Sequence, residues 1–138
     1  MSDVVVDASV VAPFLIPDES GEQSDAVLSA LVAGRGVVPQ HWRLEIANLG
    51  RKAVRQKRMT RAEMHEAITL LATLPVNVDR QTDEMAWSRT LDLASDHDLT
   101  SYDAAYLELA KRNGLPLATV DKALAKAAVQ QGVALFGL

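Results

Sequence analysis

The stretch LTSYDAAYLELA (99–110) carries an acid where an apolar side chain is expected. If it forms a helix, positions i, i+3, i+4 and i+7 form a stripe that faces the core. That stripe consists of Asp103, Tyr106, Leu107 and Ala110. A carboxylate at its edge is costly unless it is hydrogen-bonded, paired or bound to a cation. The alternative is an Asp in a first helical turn, which the helix dipole stabilises by roughly 0.3–1 kcal/mol.

A second acid occupies an equally awkward position. Residues 41–57 have helical periodicity, and Glu45 lies inside their apolar stripe. The stripe is formed by Trp42, Ile46, Leu49 and Ala53. We therefore expect Glu45, like Asp103, to point inward and to need a partner.

Two further acids each follow a predicted buried strand directly and precede a helix. They are Asp7, after Val4 to Val6, and Asp121, after LPLATV (115–120). In an open α/β sheet the carboxyl ends of the strands form the crevice where ligands bind, so both acids are expected there. Asp is also a favoured N-cap residue, which is the more common reason for either acid taken alone.

If the four acids converge on one crevice, they repel one another strongly. At about 4 Å each like-charged pair costs roughly 4 kcal/mol at an effective dielectric constant near 20. A hard divalent cation removes that penalty, and an all-oxygen donor set suits Mg²⁺ or Mn²⁺. Such a metal activates a bound water and neutralises charge on a phosphodiester.

Two hydroxyl residues flank this predicted site. Ser9 follows Asp7 by two positions, and Thr119 precedes Asp121 by two. Either hydroxyl has the reach to hydrogen-bond a ligand water or a carboxylate around the metal. Local cap or backbone hydrogen bonds explain both residues equally well.

Strand and helix patterns alternate along the chain. We predict strands at residues 4–6, 36–39, 76–78, 115–120 and 133–136. We predict helices at residues 8–15, 23–33, 41–57, 61–74, 82–96, 102–113 and 122–131. Thr60 and Glu63 form a capping box, and in the helix that Thr82 caps we expect Trp87, Leu91 and Ala94 to face inward. The alternation predicts one α/β domain (1–138) with a largely parallel sheet.

Composition excludes several classes of protein. There is no cysteine, so disulfides, thiolate nucleophiles and Cys-ligated zinc are excluded. The N-terminal apolar run carries acids and lacks the basic segment of a signal peptide, and no apolar run is long enough to span a membrane. No GxxxxGK[ST] phosphate loop occurs. We expect a cytoplasmic protein with no membrane association.

The net charge of −4 argues against a globally basic nucleic-acid binder. Positive charge is nevertheless concentrated in one acid-free segment, which holds six of the fourteen basic residues: Arg51, Lys52, Arg55, Lys57, Arg58 and Arg61. The segment is either an exposed helix end or an arm that contacts phosphates.

Three pieces of the chain resemble the PIN domain family, in particular the VapC-type toxin ribonucleases of bacterial toxin–antitoxin pairs. They are VVVDASVVAPFL, VVPQHWRLEIANLGRKAV and LTSYDAAYLELAKRNGLPLATVDKALAKAA. The third piece is the specific one, because it combines the pattern LTxYDAxYLxLA with LPLAT, an Asp and a helix, in that order.

The resemblance implies a three-layer α/β/α sandwich with a parallel central sheet and an acidic site. Asp7 and Asp103 would be the principal metal ligands, while Glu45 and Asp121 would complete the cluster and help to activate the attacking water. It further implies Mg²⁺- or Mn²⁺-dependent cleavage of RNA, homodimers and a cognate VapB-type antitoxin. For an acidic RNA enzyme, it also favours the phosphate-contacting arm, which we assign to Arg51, Lys52 and Arg55.

Two other classes of function stay open from the sequence. One is a phosphohydrolase of small phosphates with Asp7 as an aspartyl nucleophile, although that chemistry usually requires an acid where Ser9 stands. The other is a non-catalytic interaction module that retains the fold.

Overall fold

A four-stranded parallel sheet forms the centre of the molecule. In the computed structural model, residues 2–19, 21 and 23–137 are described, so Met1, Ser20, Glu22 and Leu138 lie outside the described residues. The strands are Val4–Val6 (β1), Gly36–Val38 (β2), Val76–Val78 (β3) and Leu117–Ala118 (β4). Their order is β3-β2-β1-β4, and every pairing is parallel. This confirms the predicted parallel sheet and α/β/α fold.

The central strand β1 is β-branched and fully buried. Val5 pairs with Val37 on one side and with Leu117 on the other. A strand covered on both faces has no need for polar alternation, which explains the uninterrupted valines. The chain therefore leaves β1 at Asp7 in the middle of the sheet.

Helices surround the sheet. They are Ala12–Leu15 (α1), Ser24–Val32 (α2), Trp42–Arg55 (α3), Arg61–Leu71 (α4), Thr82–Met85 (α5), Leu91–His97 (α6), Ser101–Asn113 (α7) and Lys122–Gln130 (α8). A 3₁₀ turn at Ala8–Val11 precedes α1, and a π-helical turn at Ala86–Thr90 joins α5 to α6. In the described part of the chain, no helix has both the length and the apolar character to cross a bilayer.

The ends of the helices follow from local sequence. Thr60 and Glu63 form the predicted capping box at the start of α4. Helix α7 begins one residue earlier than predicted because Thr100 caps it, and it ends at Gly114 with φ of 63°. Residues 104–110 are all buried, so α7 is a central helix of the core rather than an amphipathic surface helix.

One predicted helix face is wrong. Trp87 and Leu91 were expected to face inward, but their exposures are 94% and 48%, whereas Thr90 and Leu93 are buried along with Ala94. The reason is the π-helical turn, which accommodates an extra residue and changes the faces on which neighbouring side chains lie.

The predicted last strand is much reduced. Within 133–136 only Leu135 pairs with the sheet, through an isolated parallel bridge to Leu117. The predicted strand 115–120 is likewise shorter, because the main-chain N–H groups of Val120 and Asp121 donate to the hydroxyls of Ser9 and Thr119 in place of a neighbouring strand.

Candidate active site

Asp7 is the most deeply buried of the four predicted site acids. It follows β1 directly and is 4% exposed. The hydroxyls of Ser9 and Thr119 each donate a hydrogen bond of 2.7 Å to its Oδ2 atom. Each hydroxyl in turn accepts a main-chain N–H, from Val120 at 3.2 Å and from Asp121 at 3.0 Å, respectively. Each hydroxyl oxygen therefore accepts a hydrogen bond from the main chain and donates its own proton to Asp7.

The pKa of Asp7 is raised from its ordinary value of 3.8. Burial is the largest cause, and the charge of Glu45 raises the pKa further, while the hydrogen bonds from Thr119 and Ser9 lower it. Glu45 is 38 positions further along the chain, so this smaller effect links the end of β1 with the first turn of α3.

Asp103 lies half-buried in the first turn of α7. Its pKa is also raised above 3.8, first by burial and then by the charges of Asp7 and Asp121, while a hydrogen bond with Thr100 lowers it. The charges of both strand-end acids therefore act on Asp103.

Glu45 is held by two partners of different kinds. The Tyr106 hydroxyl donates a hydrogen bond to its Oε1 atom, and the Nε2 atom of His41 lies 3.5 Å from the same oxygen. Burial raises the pKa of Tyr106 most, and the hydrogen bond to Glu45 and the charges of Glu45 and Asp7 raise it further, so the hydroxyl remains a donor.

Asp121 acts as the N-cap of α8. Its Oδ1 atom accepts the N–H of Leu124 at 3.0 Å, which is the alternative reading that the sequence allowed. The cap is compatible with a role in the site, because it uses only the Oδ1 atom of Asp121. The charge of Asp121 also contributes to the raised pKa of Asp103.

All four acids occupy the N-terminal end of a helix. Asp7 and Asp121 are cap residues, and Glu45 and Asp103 lie in first turns. The positive ends of α3, α7 and α8 stabilise negative charge at these positions. The helix N-termini therefore offset part of the repulsion between these carboxylates.

The carboxylates do not form a ready coordination sphere. Over residues 2–19, 21 and 23–137, no group of three or more His, Cys, Asp or Glu side chains is close enough to hold a metal ion. Their present partners explain the spacing, because Asp7, Glu45 and Asp121 are each tied to a separate donor. The donor set still fits a hard cation, because it consists of carboxylate oxygens, and because burial and then the charges of other acids raise the pKa of Asp7 and of Asp103.

The basic residues lie on the same helix as Glu45 but farther along it. Arg51, Lys52 and Arg55 are all exposed. Lys52 is seven positions after Glu45, hence on the same side of α3 and about 10 Å further along its axis. The wider basic segment has less net positive charge around it than its sequence suggests, because Arg58 is paired with Asp18 and Glu19 at 2.6 and 2.7 Å.

Sequence reasoning did not assign His41 and Tyr106 to the site. Tyr106 was predicted only as a member of the buried stripe, and His41 was interpreted as a surface or helix-end residue because the three histidines have no metal-binding spacing. The available signal was spacing: His41 precedes Glu45 by four positions, and Tyr106 follows Asp103 by three, so each shares a helix face with a site acid.

A parallel α/β/α sandwich with acids grouped beyond the carboxyl end of its central strand defines a class of folds that includes nucleases. A family model described as the PIN domain matches residues 4–130, and the chain belongs to this family. PIN domains are generally nucleases, typically metal-dependent ones.

Solved structures support the same fold. PAE2754 from Pyrobaculum aerophilum aligns with a TM-score of 0.65 and 22% identity, over 91% of this chain and 84% of that one. FitAcB from Neisseria gonorrhoeae aligns with a TM-score of 0.64 and 18% identity, over 97% of this chain and 96% of that one. No curated protein matches the chain significantly.

Proposed function

We propose that this protein is a divalent-metal-dependent endoribonuclease and the toxin of a VapBC-type toxin–antitoxin pair. The observation that carries the proposal is the setting of Asp7, which follows the central strand, is buried and accepts hydrogen bonds from the hydroxyls of Ser9 and Thr119. In addition to burial, the charges of Asp7 and Asp121 raise the pKa of Asp103, and the charge of Glu45 raises the pKa of Asp7. A carboxylate that is buried with hydroxyl partners and lies near other acids is suited to binding a cation.

Asp7 and Asp103 would hold Mg²⁺ or Mn²⁺, with Glu45 and Asp121 completing the set directly or through water. A metal bound there would lower the pKa of a water molecule and offset negative charge on a phosphodiester. No side-chain nucleophile is needed for this chemistry.

The chain's own residues prepare that site. Ser9 and Thr119 fix one oxygen of Asp7 and leave the Oδ1 atom outside their hydrogen bonds. Arg51, Lys52 and Arg55 provide local positive charge for an RNA backbone on a protein whose net charge is −4. The proposed partners are a VapB-type antitoxin and a second copy of this chain in a homodimer.

The decisive experiment is cleavage of total RNA with and without Mn²⁺, followed by sequencing of the new ends. We expect defined ends only with the metal, and their loss in Asp7→Asn and Asp103→Asn. Asp25→Asn, an exposed acid on α2, is the matched control and should cleave like the wild type. Cleavage that persists in EDTA, or in both site variants, would contradict the proposal.

A further inference from the structure

One carboxylate oxygen of Glu45 has two close polar neighbours. The Oε1 atom accepts the Tyr106 hydroxyl and faces the His41 ring. Tyr106 is fully buried, so its hydroxyl has little freedom to turn elsewhere. It reaches Glu45 across 61 positions of sequence, from the helix that carries Asp103 to the helix that carries Glu45.

The orientation of the His41 proton follows from its neighbours. The Nε2 atom lies 3.0 Å from the main-chain oxygen of Tyr102 and 3.5 Å from Oε1 of Glu45. A main-chain oxygen and an ionised carboxylate have no proton to donate. The proton between them and the ring is therefore on Nε2. The ring is fixed by edge contacts with Tyr102 and Tyr106, whose centroids lie 5.6 and 5.3 Å away.

We propose that Tyr106 and His41 are positioning residues that together hold Oε1 of Glu45, so that Glu45 acts on a metal ion or its bound water through Oε2 alone. This inference rests on the proposed function. Asp7 and Asp103 lie on neighbouring elements, and fixing one oxygen of Glu45 limits the directions from which the other can meet a cation that they share.

The simpler alternative is that Tyr106 is a core residue whose hydroxyl merely needs an acceptor. Two features favour positioning. The acceptor is a carboxylate of the site rather than a main-chain oxygen, and His41, the N-cap residue of the helix that carries Glu45, lies 3.5 Å from the same atom. A purely structural hydroxyl would affect the metal-free fold, whereas a positioning hydroxyl affects what the site does with a metal.

The test uses the two tyrosines of the chain as a matched pair. Tyr106→Phe removes the hydroxyl and keeps the buried ring. Tyr102→Phe removes an exposed hydroxyl and leaves in place the main-chain oxygen that accepts from His41. Mn²⁺ affinity is measured by calorimetry, melting temperature is measured with and without Mn²⁺, and kcat and KM are measured on one RNA.

For Tyr106→Phe we expect Mn²⁺ affinity to fall by about 10-fold or more, with a smaller Mn²⁺-induced rise in melting temperature. We expect kcat to fall while KM for RNA is unchanged, and we expect Tyr102→Phe to behave like the wild type. If Tyr106→Phe binds Mn²⁺ as tightly as the wild type, the inference is wrong, whatever happens to its metal-free stability.

A second pair tests His41 separately. His41→Gln keeps an N–H donor at the end of the side chain, whereas His41→Phe keeps a ring without a donor. We expect the glutamine variant to retain most of the Mn²⁺ affinity that the phenylalanine variant loses, and equal losses would remove His41 from the proposal. A wild-type protein that binds no Mn²⁺ would instead overturn the proposed function, and this inference with it.

Discussion

The hydroxyl of Thr119 donates a 2.7 Å hydrogen bond to Oδ2 of Asp7 and so joins residues that are 112 positions apart. The same oxygen of Thr119 accepts the N–H of Asp121 at 3.0 Å. One side chain therefore links the ends of β1 and β4 and the start of α8. This link makes Thr119 a structural determinant of the acidic site as well as its neighbour.

Replacing Thr119 with the isosteric Val should destabilise the metal-free protein by about 1–3 kcal/mol, because Asp7 loses a buried donor and the Asp121 N–H loses an acceptor. Urea unfolding at neutral pH measures the change. Thr69→Val on the exposed face of α4 is the control and should change stability by less than about 0.5 kcal/mol. Equal effects of the two substitutions would contradict this role of Thr119.

The metal-free stability should depend on the charge of Asp103. Since its pKa in the folded state is raised above 3.8, the folded protein holds this proton more tightly than the unfolded chain does. The resulting stability is present below pH 3.8 and is lost as the pH rises through the folded-state pKa. We therefore expect Asp103→Asn to be more stable than the wild type at pH 7.

Thermal unfolding of both proteins between pH 3.5 and 8, in EDTA, tests the pH dependence of Asp103. The advantage of the Asn variant should shrink as the pH falls. A wild type that is the more stable protein at pH 7 without metal would refute the burial and repulsion inferred at this position.

Two arginines each bridge two acids, but in different surroundings. Arg112 binds Asp79 and Glu108 at 2.6 and 2.9 Å, and the three side chains are only 14%, 10% and 3% exposed. Arg112→Met leaves two buried carboxylates without a partner and should destabilise the protein by about 3–5 kcal/mol.

Arg58→Met breaks the corresponding exposed pairs with Asp18 and Glu19 and should destabilise the protein far less than Arg112→Met, because solvent screens the exposed charges. Urea unfolding of both arginine variants, at the same salt concentration, provides the comparison. Similar losses for the two would show that burial does not set the strength of these ion pairs.

The proposed RNA arm predicts a change in salt dependence. Replacing Arg51, Lys52 and Arg55 with Gln in the Asp103→Asn background, which protects the RNA from cleavage, should weaken binding. If each residue contacts one phosphate of single-stranded RNA, the slope of log K against log salt should become shallower by about 2. Fluorescence anisotropy over a range of salt concentrations gives the slope.

The matched control for the RNA arm replaces two exposed basic residues outside α3, Arg89 and Lys111, with Gln. We expect the control to retain the wild-type slope. If the α3 variant also retains it, these residues do not contact RNA, and the basic segment is an exposed helix end.

Much of the fold could be predicted because it follows from local patterns. The valines of β1, the capping box of Thr60 and Glu63, and Gly114 after α7 each act over a few residues. The convergence of Asp7, Glu45, Asp103 and Asp121 on one crevice was predicted from acids on inward stripes and at strand ends, and it stays a prediction. Their role as metal ligands stays a prediction.

What could not be predicted depends on contacts between distant elements. The hydrogen bond from Tyr106 to Glu45 and the ion pair of Arg112 with Asp79 join residues 61 and 33 positions apart, and no periodicity encodes them. The π-helical turn that moves Trp87 outward is likewise set by packing rather than by composition. Nor does the sequence show that three acids are tied to separate donors in the absence of metal.

The π-helical turn also has a practical consequence for spectroscopy. It leaves Trp87 94% exposed, whereas Trp42, at the start of the helix that carries Glu45, is 3% exposed. The protein's intrinsic fluorescence therefore combines one emitter in water with one in the core. With Trp87 changed to Phe, the remaining emission reports on α3 alone and can follow local changes there as divalent ions are added.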